Sequence, residues 1–153
     1  MKLGIISDTH GYVDPRVEEL FEGVERILHA GDVGPGVLDG LARIAPVDAV
    51  AGNMDAEPLA SRLPRLLSLE LAGRTLLLVH RADDPRVRKR IDEGGLDVVV
   101  CGHTHRAEAV WRGKVLVFNP GAAGRSMTWA GRSVGILEIA QDGIATRILP
   151  LEG

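Results

Sequence analysis

The stretch Asp97-Val-Val-Val-Cys-Gly-His-Thr-His105 constrains the fold of this chain more than any other. A β-branched run without helical period reads as a buried strand. Gly102 ends it, and two histidines stand one residue apart at its carboxyl end. In extended chain, residues i and i+2 point to the same side, about 6.6 Å apart at ~3.3 Å per residue. That separation suits two imidazoles reaching adjacent metal ions. Ser7-Asp-Thr-His10 repeats the spacing near the amino terminus.

Upstream, strand and helix alternate. Lys2 to Ser7 is apolar on both faces, as a central parallel strand should be, and releases Asp8-Thr9-His10-Gly11. Asp14-Pro15 supplies an N-cap and first-turn proline for a helix carrying Val17, Leu20, Phe21 and Val24. A second strand, Arg26 to Ala30, ends in Gly31-Asp32, and Gly34-Pro35 opens a helix with Val37, Leu38, Leu41 and Ile44. A third strand, Val47 to Ala51, ends in Gly52-Asn53-Met54-Asp55. Strand, loop and helix three times over imply parallel strands with right-handed crossovers. Ligands of such sheets bind beyond the carboxyl ends.

After Pro64 the rhythm changes. Leu66 to Leu71 and Arg74 to His80 form a hairpin about Ala72-Gly73. Asp84-Pro85 caps a further helix with Val87 and Ile91 inward, leaving Arg86, Arg88, Lys89 and Arg90 on a solvated face. Beyond the 97–101 strand, residues 107–112, 115–118, 133–139 and 144–149 read as strands. The expectation is an α/β fold, two packed mixed β-sheets flanked by helices, in a single domain over residues 1–153.

Composition removes several function classes. A net charge of −3 with 3% aromatic residues leaves no basic, stacking face for a polynucleotide, though a small phosphate ester is not excluded. No apolar run reaches membrane-spanning length, and the opening segment is too short for a signal sequence. The single cysteine, Cys101, rules out an intramolecular disulfide and fits a reducing compartment. A cytoplasmic protein without a membrane partner is expected.

Five polar stations sit at strand-to-loop junctions: Asp8 with His10, Asp32, Asn53, His80, and His103 with His105. Four of the five histidines belong to this set. Nitrogen and oxygen ligands without thiolate favour divalent ions, manganese first, with nickel, iron or zinc as alternatives. Seven side chains are too many for one ion and suit two, with Asp32 able to bridge them. Two divalent ions against two carboxylates and a shared hydroxide leave the site net positive, ready for a phosphate.

Asp8-Thr-His10, Gly31-Asp32, Gly52-Asn53-Met-Asp55, His80, Gly102-His-Thr-His105 and Asn119-Pro-Gly121 together resemble the ordered blocks of the calcineurin-like metallophosphoesterases. The short length resembles their small bacterial and archaeal phosphodiesterase branch. The resemblance implies a double β-sandwich flanked by helices and a dimetal phosphodiesterase that attacks with a metal-bridging hydroxide. It also implies a division of ligands. Asp8, His10, Asp32 and His105 would hold one ion, and Asp32, Asn53, His80 and His103 the other.

Three positions depart from the pattern. Met54 stands where larger members carry a leaving-group histidine, which implies a diesterase for activated leaving groups. Arg81-Ala82 replaces Gly-His after His80, and Ala122 stands where serine is common. Arg81 is a candidate substrate contact through its two-donor fork, and Asn119 is a candidate lining residue. Asp55 either orients a metal ligand or stabilises a turn, His29 either backs the site or packs in the core, and Cys101 is a packing residue. Trp111 and Trp129 are candidates for a surface or subunit contact, so a homo-oligomer is admitted. A competing reading is a non-catalytic metal- or phosphate-binding scaffold of the same fold, as in the retromer subunit that resembles this branch.

Overall fold

Alternation of side chains along each strand decides how the layers stack. The computed structural model describes residues 1–125 and 131–151, so Trp129 lies outside the described residues. The chain runs β1 (Lys2–Ile6), α1 (Arg16–Leu20), β2 (Arg26–His29), α2 (Val37–Ala42), β3 (Val47–Ala49) and α3 (Leu59–Arg62). It continues through β4 (Leu66–Leu71), β5 (Arg74–Val79), α4 (Pro85–Glu93), β6 (Val98–Val100), β7 (Glu108–Arg112), β8 (Val115–Asn119), β9 (Ser133–Ala140) and β10 (Gly143–Pro150).

Two five-stranded sheets result, ordered β10-β9-β1-β2-β3 and β4-β5-β6-β8-β7. In the first, β1, β2 and β3 are parallel, while β9 is antiparallel to both β1 and β10. In the second, β5, β6 and β8 are parallel between the antiparallel edges β4 and β7. Leu3 and Ile5 face Leu76, Leu78, Val98, Val100, Leu116 and Phe118 in the core between the sheets. Ile6 and Ile27 face outward onto Val17, Val37 and Leu41 of the first helices and onto Phe21 just beyond α1. Leu77, Val79 and Val99 face Val87 of α4. Helix, sheet, sheet and helix therefore stack with three apolar interfaces, and the expected layered α/β architecture is the observed one.

The local differences have physical causes. α1 stops at Leu20 because Gly23 turns the chain with a φ of 81°, so Phe21 and Val24 pack from a turn. Asp14 acts one residue outside that helix, its Oδ1 accepting the Arg16 N–H at 2.9 Å. α2 begins after Gly36, later than Gly34-Pro35 suggested. The third strand–helix unit does not return to its own sheet: α3 is four residues long, leaves β3 at an edge, and feeds β4 of the second sheet. So short a helix carries no apolar repeat to read. At the hairpin, Ala72 and Gly73 both take positive φ, 50° and 79°, as a two-residue turn matched to strand twist requires.

A candidate metal centre between the sheets

The carboxyl ends of both parallel sets meet at one rim. Asp8 N–H donates to the Gly31 carbonyl and Gly102 N–H to that of His80, at 3.0 and 2.9 Å. His80 Nδ1 crosses between the sheets to the Ala30 carbonyl at 2.7 Å. The loops leave this rim by an unusual backbone. Among the described residues, six non-glycine residues have positive φ: Ala72 and five of the expected ligands, Asp8, His10, Asp32, His103 and His105. Left-handed conformations are uphill for such residues and persist only where surrounding structure over-determines them. The extended geometry expected for both i, i+2 pairs is therefore not what forms. The chain curls instead, and sends the two histidines of the second pair to different neighbours. His105 meets His10 with ring centroids 6.2 Å apart, and His103 meets His80 at 5.2 Å.

The two carboxylates divide their oxygens the same way. Asp8 Oδ2 accepts from Ser7 Oγ at 2.7 Å and from His103 N–H at 3.1 Å. Its Oδ1 is buried without a hydrogen-bond partner and stands 3.3 Å from His105 Nε2 and 3.9 Å from His80 Nε2. Asp32 Oδ1 accepts from Met54 N–H at 2.9 Å, while Oδ2 faces His80 Nε2 at 3.2 Å and His10 Nε2 at 3.8 Å. One oxygen of each holds a loop and the other points inward. Burial opposes ionisation of Asp32, but His80, the Met54 N–H and His10 outweigh it and pull the carboxyl down to about 2.

His80 has its tautomer fixed from behind. Its Nδ1–H donates to the Ala30 carbonyl, so Nε2 presents a lone pair, and that buried atom has no hydrogen-bond partner. Burial disfavours a second proton, yet Asp32, Asp8 and the Ala30 carbonyl more than compensate and raise its pKa. His103 shifts down, through burial and its neighbours His80 and Arg81. Asp8, Asp32 and His80 form a buried floor, and His10 and His105 the more open rim.

Two groups of ligand atoms are close enough to share an ion: Asp8, His10 and His105, and Asp8, Asp32 and His80. Asn53 is exposed and borders, with His80, a cavity of about 160 Å³ also lined by Arg65, Arg81 and Arg86. Arg81 is exposed, its Nε and Nη2 donating to the Asp83 carboxylate at 2.9 Å each. Asn119 is buried and fully engaged. Its Nδ2 donates to the Gly102 carbonyl and Thr104 Oγ1, and its Oδ1 accepts from Gly121 N–H.

Residues behind the cluster brace its loops. Asp55 takes N–H groups from Gly52, Val33 and Gly34 at 2.9–3.1 Å, so one carboxylate ties the Asp32 loop to the Asn53 loop. It is a turn residue and a brace at once. His29 is completely buried, and burial pushes its pKa down to about 3. Its Nδ1 accepts from Gly31 N–H, so Nε2–H donates to Thr9 Oγ1 at 2.9 Å, and the Thr9 hydroxyl donates a hydrogen bond to the Val33 carbonyl. The Thr9 backbone between Asp8 and His10 is thereby pinned. Cys101 is buried and its thiol is pushed up to about 12 by burial and by Glu108, as a packing residue should be. Gly52 has no room for a side chain, since a Cβ would stand 2.1 Å from Asp32 Oδ1.

The donor set fits divalent cations. Two buried ligand atoms without hydrogen bonds, Asp8 Oδ1 and His80 Nε2, share a space with an ionised carboxylate oxygen, a combination a cation satisfies. Among the described residues, no helix is long and apolar enough to cross a membrane.

Residues 1–142 match the family model of the calcineurin-like phosphoesterase superfamily domain. A probable metallophosphoesterase of Methanothermobacter thermautotrophicus is 35% identical over 133 residues, covering 80% of this chain and 77% of the relative. The structure of an archaeal phosphodiesterase superposes with a TM-score of 0.80 at 28% identity, over 97% of this chain and all of that one. Vps29 of Chaetomium thermophilum superposes with a TM-score of 0.77 over 97% and 95% of the two chains, at 18% identity, and shows the shared fold alone.

Proposed function

The chain belongs to the calcineurin-like phosphoesterase superfamily, whose members use divalent metal ions, and from that premise we propose that it is a dinuclear metal-dependent phosphodiesterase. The pair of buried ligand atoms without hydrogen bonds, Asp8 Oδ1 and His80 Nε2, carries the reading. Asp8, His10, Asp32 and His105 hold one ion, and Asp32, Asn53, His80 and His103 the other, with manganese the first choice. When bound, such ions supply an activated water and clamp phosphoryl oxygens. The protein's own part is to keep seven donors oriented before substrate arrives. Asp55, His29 and Asn119 do this by hydrogen bonds to the ligand loops, so Asn119 is assigned to positioning the His103–His105 loop rather than to touching substrate.

Met54 follows Asn53 without an imidazole to protonate a departing alkoxide, so leaving groups that are stable as anions are favoured. On the Asn53 side, Arg65, Arg81 and Arg86 line the rim together with Asp84; Asp83 and Asp84 pair with Arg81 and Arg86, and Arg65 adds a cation that suits a phosphodiester anion. Arg81 contacts the phosphoryl group with the edge of its guanidinium that Asp83 leaves open.

Hydrolysis of bis(p-nitrophenyl) phosphate against p-nitrophenyl phosphate, with chelated and manganese-loaded protein, tests the reading. Metal-dependent turnover with the diester faster is expected. A preference for the monoester counts against the diesterase assignment. Stoichiometric metal binding without turnover of either ester would establish the scaffold alternative.

A further inference from the structure

Two sheets have four edges, and one of them is unlike the others. β3, β4 and β10 each keep residues partly buried, whereas all five residues of β7 are exposed. Val110 and Trp111, at 45% and 57% exposure, are two of the three large apolar side chains exposed among the described residues. An edge strand presents a row of unpaired N–H and C=O groups, and exposed apolar residues on it invite another strand.

We propose that β7 is a homodimer interface, pairing antiparallel with the same strand of a second copy about a two-fold axis at Val110. The sequence Glu108-Ala-Val-Trp-Arg112 is self-complementary in that arrangement. Glu108 lies opposite Arg112 of the second copy, and Arg112 opposite its Glu108, giving two identical ion pairs. Ala109 lies opposite Trp111, a small residue leaving space for a large one, and Val110 meets its own image. Charge, size and polarity match at every position of the only register that overlaps all five strand residues. Sliding by two residues toward the amino end would set Arg106 against Arg112, a like-charge contact.

No salt bridge within the described residues engages Glu108 or Arg112, so both charges are available to a partner. Both also border, with Val110, Cys101 and Val117, a cavity of about 170 Å³ on the outer face of this sheet, which the paired strand would help to close. An isologous contact of this kind joins the second sheets of two copies into one continuous sheet and leaves neither β7 edge open.

Sedimentation equilibrium of the full chain, with Glu108→Arg, Arg112→Glu and the double reversal, tests the pairing. The unaltered chain should sediment as a dimer. Each single reversal turns two attractive cross-strand pairs repulsive and should raise the dimer dissociation constant by about tenfold or more. The double reversal restores opposite charges across the axis and should return the constant to within roughly threefold of the original. Circular dichroism confirms that the variants stay folded. An unaltered chain that is monomeric at sub-millimolar concentration overturns the proposal. So does a dimer indifferent to the single reversals, or a double reversal as dissociated as the singles.

Discussion

The two sheets bring different chemistry to the rim they share. The first contributes Asp8, His10, Asp32 and Asn53, including both carboxylates of the set. The second contributes His80, His103 and His105, three groups that are neutral ligands once deprotonated. Where the halves meet, Asp8 Oδ1 and His80 Nε2 stand 3.9 Å apart, both without hydrogen bonds. Neither sheet holds a complete site. The difference gives the proposed centre a reason to sit at the junction: the anionic half would attract cations, and the imidazole half would complete their coordination without cancelling their charge.

The largest test of this division is Asp32→Asn. If Asp32 serves both ions, the variant should lose both, with affinity falling more than the roughly 10–100-fold expected for groups that merely support a ligand. Asn53→Ala should chiefly cost one. Elemental analysis after dialysis reads the stoichiometry, and equal losses from the two variants would break the asymmetry.

Next in size is Asp55→Asn, which weakens the brace between two first-sheet loops without touching the second sheet. Metal affinity should fall about 10–100-fold with the fold intact. Competition with a chromophoric chelator measures it, and unchanged affinity would mean that the loops hold their own geometry.

The imidazole half should make the centre sensitive to pH. The pKa of His80 is raised in the metal-free protein, so below that value a proton occupies the atom an ion needs. Apparent metal affinity should therefore rise with pH until the raised His80 pKa is passed. Proton release on binding, titrated calorimetrically across a pH series in buffers of different ionisation enthalpy, should fall as that pKa is passed, and release that never changes with pH would exclude His80 as the titrating ligand.

The smallest effect belongs to Arg81→Ala, beside the imidazole half but outside it. An uncoupled contact that binds ground and transition state alike should raise KM a few-fold and leave kcat and metal content unchanged. Steady-state kinetics on the diester, with metal measured in the same samples, check this. An unchanged KM would place Arg81 outside the substrate's path.

What was legible in the sequence was position along strands. Each expected ligand follows an apolar run, and a residue just beyond a buried strand has to emerge at the sheet's rim. Direction was not legible. The left-handed backbone at Asp8, His10, Asp32, His103 and His105 comes from contacts with loops distant in sequence, such as His103 N–H on Asp8 Oδ2. His29 looks from sequence like a core residue or a backing residue equally, and only the Thr9–Val33 relay distinguishes them. Asn119 ends a strand as the ligands do, yet its loop folds inward and consumes its amide. α3 escaped because its four residues make too few turns for periodicity to register.

The position of β1 between β2 and β9 carries a consequence for how the molecule is made. β1 acquires its second neighbour only when residues 133–140 have been synthesised. Until then the backbone of Lys2–Ile6 has one flank open, although all seven proposed ligands, the last of them His105, have already been translated. A nascent chain therefore owns every donor atom before it owns the scaffold that aims them. Pairing across so long a sequence separation is slow. Acquisition of the ions should accordingly trail translation, and a chain truncated before β9 should be both metal-poor and prone to pair its open strand with a neighbour.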